Sequence, residues 1–490
     1  MGHSFGGLVK PFRSAICAAA FVALAACNGS AGITPSVAPP PAARSIQHVI
    51  IMVQENRSFD NLFAGFPGAD TTMSGLCKPV YHWCKTAREV PLKPVKLEDG
   101  HVPGGQDICH SHQCFGFECD LDASGICKMD GFDTISFGES FVSGEPAKLY
   151  PYAYVERSET KPYWDLARQY TLADDLFSTD TASSFIAHQE LIAGTVRLND
   201  EESLTDQPNT TPWGCDAAVG AQVPILLKDG REIGPPNKRA PFPCFTQYGT
   251  MADLFAAGNT SWKYYVWWMF GAHADFSGDV WNGFDAIKKI ACPTQRHTPS
   301  GPECNRGPDW SHMSFPTTNI FKDLKNGSLP QVSWVIPTLC DSDHPGSGAN
   351  RGPRWVTEVV NAIGTSQYWK NTAIVLLWDD WGGWYDNVPP PQISYTALGF
   401  RVPMIVISPF AKPHYISHTQ YDIGSILKFI EQNFGLGNLG ASDVTANSMA
   451  DVFDFTQKPN LFHAAPLPHV LSCPSFAPED FIRKWGGPPG

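Results

Sequence analysis

The chain has 490 residues and a formal net charge of −13, from 48 acidic against 35 basic side chains. Such an acidic balance excludes a nucleic-acid partner, whose phosphates require a basic face, and it gives anionic lipid no electrostatic attraction. With 30 Phe, 15 Trp and 42 Pro, the composition fits a loop-rich folded protein and excludes disorder.

The first elements concern export. Lys10 and Arg13 form a short basic region, and Ser14 to Ala26 is small and apolar. That run is too short to span a bilayer, so residues 1–26 are expected to be a secretory signal. Losing its two basic residues takes the mature chain from −13 to −15. Leu24-Ala25-Ala26-Cys27 resembles a bacterial lipobox, in which cleavage before Cys27 leaves a lipidated N-terminus that anchors without spanning. The alternative is an ordinary secreted protein in which Cys27 is incidental. Residues 28–45, rich in Gly, Ser, Ala and Pro, complete a flexible linker over 27–45. The expected location is the cell envelope, with the chain exported and membrane-anchored at Cys27. No later stretch is long and apolar enough to cross a membrane as a helix. The rest, 46–490, is expected to be one large domain.

Strand-like runs follow at His48–Val53, Val332–Ile336, Ala373–Trp378 and Pro403–Ser408. The unbroken apolar runs before Glu55 and Asp379 read as buried parallel strands. Helical spacing marks Trp355–Thr365 (Val356, Val359, Val360, Ile363) and Ile423–Phe434 (Ile423, Ile426, Leu427, Ile430). This alternation predicts an α/β fold whose sheet is covered on both faces. Residues of about 67–130 and 196–310 are rich in Gly, Pro, Cys and Asp with weak periodicity; they are expected to be long insertions over the strand ends, held by disulfides. Fourteen cysteines, less Cys17 in the signal and Cys27, leave twelve. In an exported chain these predict several disulfides, with Cys77–Cys84, Cys215–Cys244 and Cys292–Cys304 favoured by proximity. Cys109, Cys114, Cys119 and Cys127 could instead hold zinc, which an oxidising compartment disfavours. Gly382-Gly383 lacks the spacing of a nucleotide-binding loop.

Two acidic, oxygen-rich pairs carry the chemistry. Glu55-Asn56 and Asp379-Asp380 each follow a strand-like run, and open α/β sheets bind ligands past the carboxyl ends of their strands. Together they would form a hard-oxygen cage for one divalent ion: Ca, Mg, Mn or Zn. The alternative is two turn clusters that never meet. Ser184 lies in a hydroxyl cluster, Ser178 to Ser184, immediately before a helical pattern; it could face an anion there, or Ser183 or Ser184 could be a helix cap. Among 15 histidines, His110, His112, His344 and His418 stand near strand ends or loops, and His344 is flanked by Asp343 and Pro345.

At this point several segments carry a family likeness: IQHVIIMVQENRSFDNLF (46–63), KMDGFD (128–133), SSFIAHQELIAGT (183–195), SDHP (342–345), GPRWVTEVVNAIG (352–364), WDDWGGWYDNVPPP (378–391) and FRVPMIVISPFA (400–411). The chain resembles the bacterial phosphoesterase family that groups phospholipases C of haemolytic and non-haemolytic type with a secreted acid phosphatase. The resemblance implies a three-layer α/β/α, alkaline-phosphatase-like fold with a largely parallel central sheet and disulfide-bearing insertions. It implies metal binding by Glu55, Asn56, Asp379 and Asp380, and Ser184 as a nucleophile that carries the phosphoryl group. It places His110 and His344 at the phosphate, with His344 a proton donor and Asp343 its neighbour. It departs from the family where Asp380 stands for a common Glu, where Asn387 stands for a common His, and where prolines are missing around Ser184. The implied activity is phospholipase C hydrolysis of phospholipid head groups. Alternatives are an acid phosphatase, a surface protein that binds phospho-ligands without turnover and, more weakly, a sulfatase. Trp381, Trp384 and Tyr385 could wall a choline site by cation–π contact, though packing is the commoner role.

Overall fold

The computed structural model describes residues 45–473 except 80–83, 85–88, 98–106, 139–143, 179–180, 269–274, 299–300, 348 and 392–397; at 276, 295–298 and 301–303 only the backbone is described. The signal, Cys27 and nearly all of the linker lie outside the described residues.

An eight-stranded sheet organises the domain. Its strands are β1 (His48–Gln54), β2 (Thr171–Ala173), β3 (Trp262–Tyr265), β4 (Met313–Ser314), β5 (Val332–Val335), β6 (Thr372–Trp378), β7 (Met404–Ile407) and β8 (Tyr415–Ser417), in the order β4-β3-β5-β1-β6-β7-β2-β8. Only β7 runs against the rest. Residues 49–54 of β1 and all of β6 are buried, so successive side chains are covered on both faces of the sheet. Cover comes from two packed helix groups: α1 (Arg157–Gln169) with α4 (Gly352–Gly364), and α2 (Ser184–Ala193) with α3 (Met251–Gly258) and α5 (Ile423–Phe434). The predicted α5 is present with its predicted bounds. Asp422 caps it by accepting from Ser425 N, and Gly435 ends it at φ +67°. The expected α/β class with a covered, largely parallel sheet is therefore present, as are all four predicted strands.

One expectation needs correcting. Residues 196–310 do hold a separate antiparallel sheet between Arg197 and Ile233. Yet Trp262–Tyr265, within the same stretch, is β3 and pairs in parallel with β5 inside the central sheet. Lys263 interrupts its four residues, so no unbroken apolar run marks the strand.

The register of β1 on β6 decides where the acids go. Pairing runs from His48↔Thr372 to Gln54↔Trp378, and Asp379 N donates to Gln54 O at 3.0 Å. The next residue on each strand is an acid, so Glu55 and Asp379 leave the sheet side by side. All twelve cysteines after Cys27 are paired. The three pairs expected from proximity form, the four-cysteine cluster forms Cys109–Cys114 and Cys119–Cys127 without zinc, and Cys340–Cys473 closes a separation of 133 residues.

Candidate active site

The chain turns sharply as it leaves β1. Asn56 takes a left-handed φ of +56°, a conformation that asparagine tolerates better than most residues, and its backbone N–H donates to Asp379 Oδ1 at 2.9 Å. The loop after Asp380 closes on this turn. A Cβ on Gly382 (φ +61°) would sit 2.3 Å from the Asn56 carbonyl oxygen, and one on Gly383 would sit 2.7 Å from Ile108. The two glycines thus allow a close approach that holds the acid pairs together.

His110 sets the Asn56 amide. Its Nδ1 donates to the Ile108 carbonyl at 2.7 Å, which leaves Nε2 to accept from Asn56 Nδ2 at 2.9 Å. Asn56 Oδ1 is thereby turned to Ser184 Oγ, 3.4 Å away. Ser184 Oγ also donates to Asp380 Oδ2 at 3.2 Å, while Asp380 Oδ1 accepts from Gly382 N at 2.7 Å. The neighbouring hydroxyls face elsewhere. Ser183 is the cap residue of α2 and its hydroxyl donates to Gln207 Oε1 at 2.9 Å, and Thr181 Oγ1 lies 2.6 Å from His112 Nδ1. Burial pushes His112 down to about 4.

Four residues after Ser184, on the same face of α2, stands His188. Its Nε2 lies 3.2 Å from Glu55 Oε1 and 3.9 Å from Asp379 Oδ2. Its Nδ1 faces the Tyr264 hydroxyl at 3.4 Å, and that hydroxyl donates to the Trp281 carbonyl at 2.6 Å. With its proton committed to Trp281, the Tyr264 oxygen accepts from His188. The histidine proton is therefore on Nδ1 and Nε2 is bare. Burial pushes His188 down to about 4 despite the pull of Asp379. Glu55 is held far above the usual carboxylate range, first by burial and then by Asp379; burial and Asp379 raise Asp380 in the same way.

This trio fits a cation. One ligand atom each from Glu55, His188 and Asp379 lie within 4.8 Å of one another, all three residues are buried, and Glu55 Oε2 and Asp379 Oδ2 have no hydrogen-bond partner. Bare nitrogen and unpaired carboxylate oxygens facing one another in a dry site repel unless a positive charge lies between them. With its imidazole the trio is a mixed nitrogen and oxygen set, where an all-oxygen cage of Glu55, Asn56, Asp379 and Asp380 was expected from sequence. The His188–Tyr264 contact is an outer support of the kind that fixes a ligand's tautomer. Tyr264→Phe is expected to weaken metal binding about 10-fold. Titration calorimetry of metal-stripped protein would read this, and an unchanged affinity would remove Tyr264 from the site.

Asp343 and His344 adjoin this centre but do not engage each other. Asp343 Oδ2 accepts from Tyr163 (2.8 Å) and Trp378 Nε1 (3.0 Å), and burial pushes its carboxyl up to about 6. His344 Nδ1 donates to the Pro345 carbonyl at 2.7 Å, so that bond does not use Nε2; burial lowers the ring's affinity for a proton. His418 pairs with Asp174 at 2.9 Å on an exposed face. Trp381, Trp384 and Tyr385 are buried, and the cation over the Trp384 ring, at 5.0 Å, is Arg57. They pack the loop and do not wall a choline site. Asn387 bonds Arg401 and Asp70. Sequence reasoning passed over His188 and Tyr264. The four-residue spacing from Ser184 to His188 was a signal available in the quoted segment, whereas Tyr264 stood in a stretch without pattern.

Fold and site describe an α/β protein with a buried Glu-His-Asp trio that could hold a metal ion, beside a serine at the carboxyl end of a mostly parallel sheet. The chain belongs to the phosphoesterase family, whose model matches residues 46–437. Among similar proteins, the hemolytic phospholipase C of Pseudomonas aeruginosa is 22% identical over 84% of this chain and 56% of its own length. The non-hemolytic phospholipase C of Burkholderia pseudomallei is 24% identical over 90% and 63%, and phospholipase C B of Mycobacterium tuberculosis is 25% identical over 87% and 82%. The chain thus spans less than two thirds of the length of the first two. Family and relatives support a hydrolase acting on phosphate esters. A solved structure of a protein in the alkaline phosphatase superfamily from Vibrio parahaemolyticus aligns with 59% of this chain and 65% of its own at 9% identity, with a TM-score of 0.31.

Proposed function

We propose that the chain is a phospholipase C-type phosphodiesterase with Ser184 as its nucleophile. The observation that carries the reading is the position of Ser184 Oγ, between Asn56 Oδ1 and Asp380 Oδ2 and beside the Glu55–His188–Asp379 trio. Those three residues would hold one divalent ion, with Asn56 and Asp380 on its serine side. Bound there, the ion supplies Lewis-acid stabilisation of charge on the phosphoryl oxygens.

The chain's own residues do the rest. Asp380 Oδ2 takes the proton of Ser184 Oγ as the oxygen attacks phosphorus. The N-terminus of α2 favours the charge that develops there. The bond from phosphorus to the alcohol oxygen breaks, and that oxygen takes a proton from His344 Nε2, which binds one from solvent before the step because the resting ring carries its proton on Nδ1. Water then attacks the phosphoserine, His344 Nε2 takes one of its protons, and Ser184 recovers its own from Asp380. His110 keeps Asn56 aimed throughout, and Asp343 holds the loop that carries His344.

Diacylglycerol and a phosphorylated head group are the expected products. Export through the signal and acyl groups on Cys27 would hold the 46–490 domain beside its lipid. The second reading within the same chemistry is a phosphomonoesterase. Rates on a short-chain phosphatidylcholine and on p-nitrophenyl phosphate separate the two: the diester is expected to be the better substrate, and faster turnover of the monoester would replace this reading with the phosphatase one.

A further inference from the structure

Residues 460–473 run along α4 without helix or strand and end at Cys473, which is bonded to Cys340. Most of them are exposed, and Phe462 packs on the core against Trp369. Specific hydrogen bonds also hold them. Trp369 Nε1 donates to the Asn460 carbonyl at 3.0 Å, and the Asn361 amide makes both bonds to the Ala465 main chain, at 2.8 and 2.9 Å. Arg354 donates to the Pro468 carbonyl at 3.2 Å, and Leu471 N donates to Asn350 Oδ1 at 3.1 Å. This strap lies beyond the residues that the family model matches.

Its far end fastens the loop that matters. Cys340 stands four residues before His344. From the sheet side the same loop is clasped by Gln54, the residue before Glu55: its Nε2 donates to the Asp341 carbonyl at 3.2 Å and its Oε1 accepts from Asp343 N at 2.8 Å. Arg351 adds a bond to Asp341 Oδ1 at 2.8 Å. The loop is otherwise irregular, and His344 itself bonds only to main chain and hydroxyl within it, at Pro345 and Ser342. A side chain that must reach a leaving oxygen from such a loop needs the loop fixed from both sides.

We infer that the C-terminal strap, through Cys340–Cys473, positions the His344 loop against the serine and metal centre. Cys340 and Cys473 are positioning residues and touch no reacting atom. The inference rests on the reading of His344 as proton donor to the departing alcohol. That reading provides a readout that mere stabilisation would not move: an alkyl alcohol needs the proton, whereas p-nitrophenolate leaves without it.

The test is the full chain carrying Cys340→Ser with Cys473→Ser, the other five disulfides intact, assayed on short-chain phosphatidylcholine and on p-nitrophenyl phosphocholine. The expected result is a fall in kcat/KM, which reports only the steps up to formation of the phosphoserine, of about 10-fold on the lipid, inside the roughly 100-fold that a 1 Å misplacement can cost, with the aryl ester changed less than about twofold. Equal loss on both substrates, or no loss on either, overturns the inference. His344→Ala runs beside it. Selective loss in His344→Ala without selective loss in the double variant rejects the strap and keeps the histidine; no selectivity in His344→Ala rejects the reading of the histidine itself. If the double variant does not fold, Asn350→Ala releases Leu471 with every disulfide intact. It is then held to the same comparison, with a smaller lipid-selective loss expected.

Discussion

Ser184→Ala is expected to lower kcat by about 10⁴-fold or more while the fold persists. Removing a nucleophile leaves only the catalysis that binding and charge stabilisation supply, and losses of that order follow in other serine-dependent enzymes. The structural cost is small. Ser184 is at the first turn of α2, and its hydroxyl makes bonds of 3.2 and 3.4 Å to groups that the variant leaves in place. Loss of such bonds costs about 1 kcal/mol, too little to unfold the domain. Two neighbours serve as controls. Ser183→Ala removes a bond to Gln207 and Thr181→Ala a contact to His112, and both are expected to keep kcat within about 10-fold. Acid quench during turnover should trap a phosphoserine at 184 in the native protein and none in the variant. A trapped phosphoryl group on another residue would move the nucleophile.

Asp379→Asn carries the second large effect, and its sign depends on the metal. The isostere keeps an Oδ1 that can accept from Asn56 N, so the turn after β1 is retained. It removes a charge that an ion needs, and metal affinity is expected to fall at least 100-fold, read as bound metal per chain after dialysis; the scale follows from outer-support losses of roughly 10–100-fold, which a direct ligand should exceed. Without metal the effect reverses. Glu55 is buried against Asp379, its Oε2 and Asp379 Oδ2 lack partners, and burial with the Asp379 charge holds Glu55 above the usual carboxylate range. Replacing one of two crowded buried carboxyl groups by a neutral amide relieves the cost of keeping them together. The metal-stripped variant should therefore melt higher than the metal-stripped native protein, and the metal-loaded variant lower than its native counterpart. A lower Tm in both states would mean that the two carboxylates are not crowded together.

The parts of the fold that were legible in the sequence are those whose burial leaves a periodic trace. β1 and β6 are covered on both faces, so they read as unbroken apolar runs, and α4 and α5 carry an apolar stripe facing the sheet. The site was legible to the same extent, because Glu55 and Asp379 sit one step past those runs and the shared register brings them together. The short strands β2, β4 and β8 hold two or three residues, too few for a pattern to rise above chance, and Lys263 breaks the four-residue run of β3. His188 was hidden for a different reason. On a helix buried on every side, a ligand and a packing residue look alike in sequence, and only the bare Nε2 facing Glu55 separates them. The Cys340–Cys473 bond joins residues that no local rule connects. Asp343 was paired with His344 because they are adjacent, yet adjacent residues in an irregular loop point to different neighbours.

The account stands on one ion shared by two strand ends and a helix. Anomalous diffraction from crystals of metal-loaded protein, collected at the absorption edge of the bound metal, measures this directly. The expected peak lies within about 2.0–2.6 Å of Glu55, His188 Nε2 and Asp379 together. A peak that leaves out His188 or either carboxylate, or a metal bound elsewhere while this trio stays without one, would contradict the account.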